Sequence, residues 1–324
     1  MTPTCCFKKD EPIHMYDKYI IPKLVELGWL EKQHTYGQPY NYCSSCIFSH
    51  IQNQYSTSIS LLANKYTQYV MFRDTNFMLK TYVYYASHYI AETTPTDEDK
   101  EETSIFFLKH PTLDSLRGIY ICSSLEKCIQ IIRKIDVRSP WIIQPSLKNC
   151  KLYDKKKFDI TMWGSIICKD KDTCEIMLFK KGIVNIAINE FSEDNKSLTT
   201  HCTSPLLNSK MNKNYDPVYF DNKIEDYNLF YGKIKECISA ILEILKEKCF
   251  KLPLPISSKT SIVINVSFDF IFDEDNNCYL LEINSDPLLK KSNYFVPDYL
   301  AINVYNKIVN SENIEYDDNI VEKL

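Results

Sequence analysis

The sequence lacks the apolar segments that carry a chain to or through a membrane. No stretch approaches the roughly 20 consecutive apolar residues that a membrane-spanning helix needs. Near the N-terminus, Lys8, Lys9 and Asp10 stand where a signal peptide would have its apolar core. We therefore expect a cytoplasmic protein that has no membrane partner.

Long basic tracts and internal repeats are also missing. The net charge is -4, and the densest basic run is only Lys155-Lys156-Lys157. A protein that binds nucleic acids generally would present a basic surface to the phosphate backbone. The sequence therefore gives no strong signal for a nucleic-acid partner.

Zinc-site spacing is absent although the chain has 13 cysteines. Cys43 and Cys46 form the only C-x-x-C, and no second cysteine or histidine pair stands nearby to complete a tetrahedral site. Disulfide bonds are typical of secreted chains, so in a chain without a secretory signal we expect the thiols to stay reduced.

What the chain does have is the composition of an ordinary folded protein, with 324 residues of which 44% are hydrophobic and 25% are charged. This length suffices for two or three domains. The clearest linker is Glu92–Glu102, because threonine, proline and a run of carboxylates cannot form a core there. We predict an N-terminal α/β domain at 1–91, a central domain at 92–144 and a C-terminal domain at 145–324.

Hydrophobic periodicity predicts the local elements. Helices are expected at Tyr16–Leu27, after a capping box formed by Ser123 and Glu126, and at Lys233–Lys246. Strands are expected at Ser104–Leu108, Ile119–Cys122, from Trp141 onward, and at Phe158–Ile167, Glu175–Phe179 and Ile183–Ile186. Lys180-Lys181-Gly182 is interpreted as a hairpin turn between the last two strands.

The most informative segment is a hairpin at Ser261–Asn284. Apolar and polar residues alternate before the turn Asp273–Asn277, and a second strand follows the turn. Pairing Asp273 with Cys278 would place Asp269 directly opposite Glu282, with Asn284 on the same face as Glu282.

Two carboxylates and a carboxamide that converge in this way are unfavourable unless a proton or a cation lies between them. Oxygen ligands of this kind suit a Mg²⁺ ion that is shared with nucleotide phosphates. The alternative is a solvated hairpin edge. Because apolar residues flank Asp269 and Glu282 on both sides, the pattern indicates burial and favours the metal site.

Phe268-Asp269-Phe270, followed by Leu280–Pro287, resembles the closing signature of the tubulin tyrosine ligase-like family, a "DF" strand and an "LLEVN-x-x-P" strand. Other segments are similar to motifs of that family in the same order: Phe106–Pro111 to "W-I-x-K-P", Arg117-Gly118-Ile119 to the end of a phosphate loop, Trp141–Gln144 to "W-V-V-Q-K-Y", Lys157–Ile160 to "R-K-F-D-I-R", and Leu198–Thr203 to "H-L-T-N". Arg73-Asp74 and Lys80 loosely resemble its "R-K-D" helix.

The resemblance implies an ATP-grasp fold of α+β and α/β character, in which an N-terminal α/β domain precedes two α+β domains that clamp ATP between antiparallel sheets. It implies ATP and Mg²⁺ as cofactors. The implied reaction joins a carboxylate to an amine through an acyl phosphate. The implied partners are an amino-acid donor and a protein acceptor, tubulin being the usual acceptor of the family.

The resemblance also implies roles for individual residues. The catalytic residues would be Lys109, Lys157, Asp159 and Glu282. The nucleotide would be bound by Lys109, Gly118, Gln144, Lys157, Asp159, His201, Thr203 and Leu281. Mg²⁺ would be held by Asp269, Glu282 and Asn284.

Among the positions that depart from the family pattern, two concern the substrate site, and Pro145 and Ser204 also replace a lysine and an asparagine of the family motifs. Thr161 and Asn185 stand where the family has arginines that hold the amino-acid substrate or the transferring groups, and neither side chain binds a carboxylate as a guanidinium does. Three hypotheses follow: a ligase that acts on a protein such as tubulin, an ATP-grasp enzyme with a different substrate, or a catalytically weak nucleotide-binding interaction protein.

Overall fold

The computed structural model describes residues 4–7, 30–33, 42–43, 62, 64–90, 93–96, 105–113, 116–168, 174–211, 218–221, 224–248, 262–284 and 321–324. The predicted helix Tyr16–Leu27, the residue Cys46 and the Ser285–Pro287 end of the closing motif lie outside these residues. No helix in the described residues is long and apolar enough to span a membrane.

The helices are α1 (Lys65–Phe72), α2 (Leu125–Ile135), α3 (Leu198–His201), α4 (Pro205–Met211) and α5 (Tyr227–Lys248). The strands are β1 (Thr4–Phe7), β2 (Leu30–Gln33), β3 (Tyr42–Cys43), β4 (Tyr82–Tyr85), β5 (His88–Tyr89), β6 (Phe106–Lys109), β7 (Ile119–Cys122), β8 (Trp141–Pro145), β9 (Leu152–Tyr153), β10 (Lys156–Cys168), β11 (Cys174–Ile186), β12 (Val218–Phe220), β13 (Ile262–Phe272), β14 (Cys278–Asn284) and β15 (Val321–Lys323).

A five-stranded antiparallel sheet has the order β5-β4-β8-β6-β7. The helix α2 covers it, because Cys128 and Ile132 pack with Phe106, Leu108 and Trp141 in one buried cluster. The sheet takes strands from both sides of the domain boundary predicted at residue 92, and the division into three domains stays a prediction.

A seven-stranded antiparallel sheet follows the order β12-β11-β10-β13-β14, with β9 added to β10 and β15 added to β11. The apolar stripe of α5, including Ile234, Ile238 and Ile241, packs in one cluster with Phe268 and Phe270 of β13. The prediction that the long helix and the apolar face of the hairpin are buried is therefore confirmed, and the two pack in the same core. A small parallel sheet of order β2-β1-β3 completes the described strands. Together the two antiparallel sheets and the helices form an α+β architecture.

The hairpin turn expected at Lys180-Lys181-Gly182 is wrong, because β11 runs through these residues as one strand. Gly182 serves a close approach between strands instead. It pairs with Met162 of β10, and a Cβ added to it would lie 2.5 Å from the Met162 sulfur and from the Thr161 carbonyl oxygen. A glycine inside a strand marks such an approach as readily as it marks a turn.

Two further expectations need correction. The N-cap of α2 is Ser124 and not Ser123, because the Ser124 side chain accepts a hydrogen bond from the Lys127 amide.

Among the described cysteines, Cys174 is disulfide-bonded, whereas the following are free thiols: Cys122, Cys128, Cys150, Cys202, Cys237 and Cys278. Whether a thiol is oxidised depends on which second thiol it meets in space, and this cannot be read from a count of cysteines.

Candidate active site

The hairpin β13–β14 carries the pair of acidic residues that the sequence singled out. Asp269 pairs with Glu282 as predicted. The turn, however, begins one residue earlier than predicted, because Phe272 is the partner of Cys278. A β-bulge, in which Leu281 is the extra residue, shifts the register by one and restores the predicted pair. The two carboxylates therefore lie opposite each other because of a bulge that the sequence pattern does not indicate.

A row of polar side chains crosses the large sheet from β11 to β14. On neighbouring strands, Asn185 is in register with Asp159. Asn185 Nδ2 donates to Asp159 Oδ1 at 2.5 Å and to Thr161 Oγ1 at 2.8 Å. Thr161 Oγ1 in turn donates to Asp269 Oδ1 at 2.5 Å, and Asn284 Nδ2 donates to Asp269 Oδ2 at 3.2 Å. The structure thus joins Asp159, predicted to bind nucleotide, to Asp269, predicted to bind metal.

Thr161 and Asn185, the two positions where the resemblance calls for arginine, are part of this row. Their hydrogen bonds link one carboxylate to the next and bring no positive charge to the site. Asn185 is only 4% exposed. Its Oδ1 atom is buried and has no hydrogen-bond partner among the described residues. A buried acceptor of this kind calls for a donor, which a bound molecule could supply.

The acidic end of the row fits a Mg²⁺ ion. Burial, and then the nearby charges of Asp159 and Glu282, raise the pKa of Asp269 to about 8. A divalent cation would relieve this repulsion. Because the Asn284 amide nitrogen donates to Asp269, the amide oxygen is the atom that could face the cation. The described residues contain no group of three or more His, Cys, Asp or Glu side chains that could hold a metal.

Lys65 is a member of the site that the sequence interpretation missed. Asn64 caps α1 and places Lys65 at its first position. Lys65 Nζ lies 2.7 Å from Glu282 Oε1 and 3.1 Å from the Leu113 carbonyl oxygen, and its side chain is 9% exposed. Arg73, which was matched to the "R-K-D" helix of the family, is the exposed C-cap residue of α1 and lies beside the exposed Asp74. Its role stays a prediction. Asn-Lys also occurs at four other places in the sequence, so this local pattern does not single out Lys65.

Lys109, at the end of β6, faces the carboxylates from the five-stranded sheet. Its Nζ donates to Gln144 Oε1 at 2.6 Å, and Gln144 Nε2 donates to Thr81 Oγ1 at 2.9 Å. Burial lowers the pKa of Lys109 to about 8, an effect that the Glu282 charge opposes and the Lys65 charge strengthens. The amine is therefore still largely charged at neutral pH, and it brings Gln144 and the acidic pair into one region.

Lys157, at the start of β10, is almost completely buried, with 3% of its surface exposed. Its Nζ donates to Ser146 Oγ at 2.8 Å and lies 5.5 Å and 4.8 Å from the ring centres of Phe107 and Phe191. Burial lowers the pKa of Lys157. Ring faces stabilise such a buried charge in part, and an anionic ligand would stabilise it further.

Asp159, Thr203 and His201 lie beside Lys157. Thr203 Oγ1 donates to Asp159 Oδ2, and His201 Nε2 donates to the Asn195 carbonyl oxygen. Burial raises the pKa of Asp159 to about 6, against the hydrogen bonds from Thr203 and Asn185. Burial and the positive charge of Lys157 lower the pKa of His201 to about 4, so the imidazole is neutral at pH 7.

Gly118 and Leu281, which were predicted to bind the nucleotide, are characterised by their backbone geometry. Gly118 has φ +69°, a conformation that favours glycine, and an added Cβ would lie 2.6 Å from His110 Cβ. It precedes Ile119, the strand partner of Lys109, so the turn holds it next to that lysine. Leu281 is the bulge residue. Their contacts to a nucleotide, like the roles of the other site residues, remain predictions.

We expect His201→Gln to reduce the loss of stability at acidic pH. The folded-state pKa of His201 lies near 4, below the unfolded value near 6.5, so the unfolded chain binds the proton first as the pH falls. The contribution of His201 to stability is therefore complete above about pH 6.5 and is lost as the pH falls towards 4. Thermal unfolding measured between pH 7 and pH 4.5 would test this. His88→Gln, at an exposed histidine, is the matched control. An equal loss of stability in both variants and in the unsubstituted chain would contradict the prediction.

Comparison with known proteins finds a family model and several relatives that match this chain. The model of the tubulin-tyrosine ligase family matches residues 31–316. Tubulin glycylase 3C of Tetrahymena thermophila is 25% identical over 214 residues, which cover 61% of this chain and 19% of the relative. Tubulin glycylase 3E of the same organism is 24% identical over 262 residues, covering 74% of this chain and 18% of the relative.

A mammalian protein is also similar. Protein polyglycylase TTLL10 of Rattus norvegicus is 23% identical over 225 residues, which cover 58% of this chain and 32% of the relative. The chain thus spans about a fifth of the length of the two Tetrahymena relatives and about a third of the length of the rat protein.

Proposed function

This chain belongs to the tubulin-tyrosine ligase family, and from that premise we propose that it is an ATP- and Mg²⁺-dependent ligase that joins an amino acid to a protein acceptor of the tubulin type. The fold is of the ATP-grasp type that this family has, and the relatives bear the names of tubulin glycylases and of a protein polyglycylase. Glycine and tubulin are therefore the first donor and acceptor to test. A cytoplasmic location is part of this proposal.

The observation that carries the proposal is the meeting of opposed carboxylates and buried cations between the two sheets. Asp269 and Glu282 face each other on neighbouring strands. Lys65 contacts Glu282, and Lys109 lies close enough for the Glu282 charge to affect its pKa. Binding of the polyphosphate of ATP requires cations, and binding of Mg²⁺ requires carboxylates. A site with both in one buried region supports nucleotide activation.

In the proposed reaction, a carboxylate oxygen of one substrate attacks the γ-phosphorus of ATP, and the bond to the departing ADP breaks. The amine of the second substrate then attacks the acyl carbon, loses a proton, and displaces inorganic phosphate. Lys65, Lys109 and Lys157 would neutralise phosphate oxygens, since lysine acts as a mobile point charge. Mg²⁺, held by Asp269, Glu282 and Asn284, would supply further charge neutralisation at the transferred group.

One observation favours a second candidate, an ATP-grasp enzyme that acts on a different, non-tubulin substrate. Thr161 and Asn185 bring no cation for the carboxylate of an amino-acid donor, and they are engaged with Asp159 and Asp269. Asn185 Oδ1 has no hydrogen-bond partner among the described residues. As an acceptor, it could bind an N–H or O–H group of a substrate.

ADP release and acceptor mass together test the proposal. The chain would be incubated with Mg²⁺-ATP and with glycine, glutamate or tyrosine in turn, with and without tubulin. We expect ADP release that needs both donor and acceptor, together with the mass increment of the donor on tubulin. ADP release that needs no tubulin would favour the second candidate. ATP binding without turnover, whichever acceptor is offered, would refute ligase activity and leave an interaction protein.

A further inference from the structure

Gln68, on α1, makes a hydrogen-bonded bridge to the strand that carries two of the predicted metal ligands. Its Nε2 donates to the Ile283 carbonyl oxygen at 2.7 Å, and the Ile283 amide donates to its Oε1 at 2.9 Å. The same Nε2 also donates to the Leu62 carbonyl oxygen at 2.5 Å. Gln68 is 2% exposed, although a polar side chain of this size is mostly found at the surface. It therefore satisfies a donor and an acceptor of a strand that lies 215 residues away in the sequence.

The bridge lies at the free edge of β14. Among the strands that the structure describes, β14 pairs with β13 on one side only, so the backbone groups on its other side need partners. Gln68 supplies them for Ile283, and the Phe77 carbonyl oxygen accepts from the Leu280 amide at 2.9 Å. Next to that contact, Met78 forms an isolated parallel bridge with Leu280. The segment from Gln68 to Met78 thus replaces the missing strand neighbour.

Ile283 stands between Glu282 and Asn284, whose side chains share the opposite face of the strand. The β-bulge at Leu281 interrupts the pairing with β13 immediately before this point. A strand leaving a bulge is twisted, so the orientation of the next residues depends on what holds their backbone. Gln68 holds it from the edge, and Lys65, three residues earlier on the same helix, contacts the Glu282 carboxylate directly.

We propose that Gln68 is a positioning residue that orients Glu282 and Asn284 for Mg²⁺ by fixing the backbone of Ile283 between them. The inference rests on the proposed function, since it assigns a purpose to the same site. Partners in the shell around metal ligands commonly set the geometry of those ligands, and their loss costs about 10- to 100-fold in metal affinity. A leucine or methionine in place of Gln68 would fill the space and leave both backbone groups of Ile283 without partners.

Gln68→Met in the full chain tests the proposal. Thermal unfolding would be followed at saturating ATP while MgCl₂ is titrated, and ATP binding would be measured separately in EDTA. We expect the Mg²⁺ concentration for half-maximal stabilisation to rise about tenfold or more, while the affinity for metal-free ATP changes by less than about twofold. A residue that only supports the fold would lower the unfolding temperature of every form equally and leave the Mg²⁺ midpoint unchanged.

Tyr227→Phe is the matched control, because it removes another side chain–backbone hydrogen bond, the one from Tyr227 Oη to the Lys180 carbonyl oxygen. Gln68→Asn is a milder second variant, because the shorter asparagine side chain cannot reach both backbone groups of Ile283. This variant replaces Gln68→Met in the experiment if Gln68→Met does not fold. An unchanged Mg²⁺ midpoint in the folded Gln68 variant, while the unsubstituted chain responds to Mg²⁺, would overturn the inference and leave the proposed function standing. No Mg²⁺ response in the unsubstituted chain would overturn both.

Discussion

Replacement of Glu282 by glutamine is expected to reduce Mg²⁺-dependent ATP turnover by at least about a hundredfold. Glutamine keeps the size of the side chain and removes the charge that faces Asp269. Loss of a carboxylate ligand removes several kcal/mol of charge stabilisation, and about 1.4 kcal/mol corresponds to a factor of ten in rate. The Mg²⁺-dependent part of the stabilisation by ATP should disappear as well. At a hundredfold excess over the dissociation constant, ligand binding would otherwise contribute about 2.7 kcal/mol.

The measurement is thermal unfolding with ATP, with Mg²⁺ and with both, together with ADP release. Because Lys65 loses its carboxylate partner, Glu282→Gln should also lower the stability of the ligand-free protein, by roughly 1–3 kcal/mol. Glu322→Gln controls for this effect, since Glu322 Oε1 accepts from Lys235 Nζ at 2.6 Å in an ion pair on β15. Turnover in Glu282→Gln at the level of that control would contradict the assignment of Glu282 to the metal.

Replacement of Lys109 by methionine is expected to weaken ATP binding by about ten- to a hundredfold. A hydrogen bond to a charged group contributes roughly 1.5–3 kcal/mol, and about 1.4 kcal/mol is a factor of ten in affinity. The pKa of Lys109 is about 8 before ATP binds, so the amine is charged below pH 8 and loses its proton above it. ATP affinity in the unsubstituted chain should therefore fall as the pH rises through 8, and this part of the pH dependence should be absent from the variant.

Calorimetric titration with ATP between pH 6.5 and pH 9 would measure both effects. Lys151→Met is the matched control, because Lys151 Nζ lies 2.5 Å from Asn276 Oδ1 and 3.4 Å from Asp226 Oδ2. Equal ATP affinity in Lys109→Met and in this control would mean that β6 does not carry the phosphate-binding lysine.

Several parts of the fold could be predicted from the sequence because neighbouring residues encode them. The stripe of Ile234, Ile238 and Ile241 has the period of a helix, and the observed helix extends beyond the predicted ends. The alternation around Phe268 has the period of a strand, and its apolar side faces the core. Such patterns depend on the geometry of a single element, so they can be recognised before the partner of that element is known.

Sequence patterns did not predict the structure at residues whose type fits more than one structural role. Gly182 fits a turn as well as a strand, and only the distance to Met162 on β10 shows why a glycine is needed there. Thr161 and Asn185 were identified as departures from the family pattern. That they join Asp159 to Asp269 by hydrogen bonds follows only from the register of three strands.

The order of motifs in the sequence was enough to place this chain in its family and to propose Asp269, Glu282 and Lys109 as candidate site residues, because the chemistry of a side chain and its local spacing are properties of the sequence. The tertiary structure decided which distant residues complete the site. Lys65 and Gln68 reach β14 across more than 200 residues of chain, and the bulge at Leu281 sets the opposition of the two carboxylates. These contacts arise when separate segments pack and bury polar groups that must then find partners, and no local pattern specifies which segment will supply them.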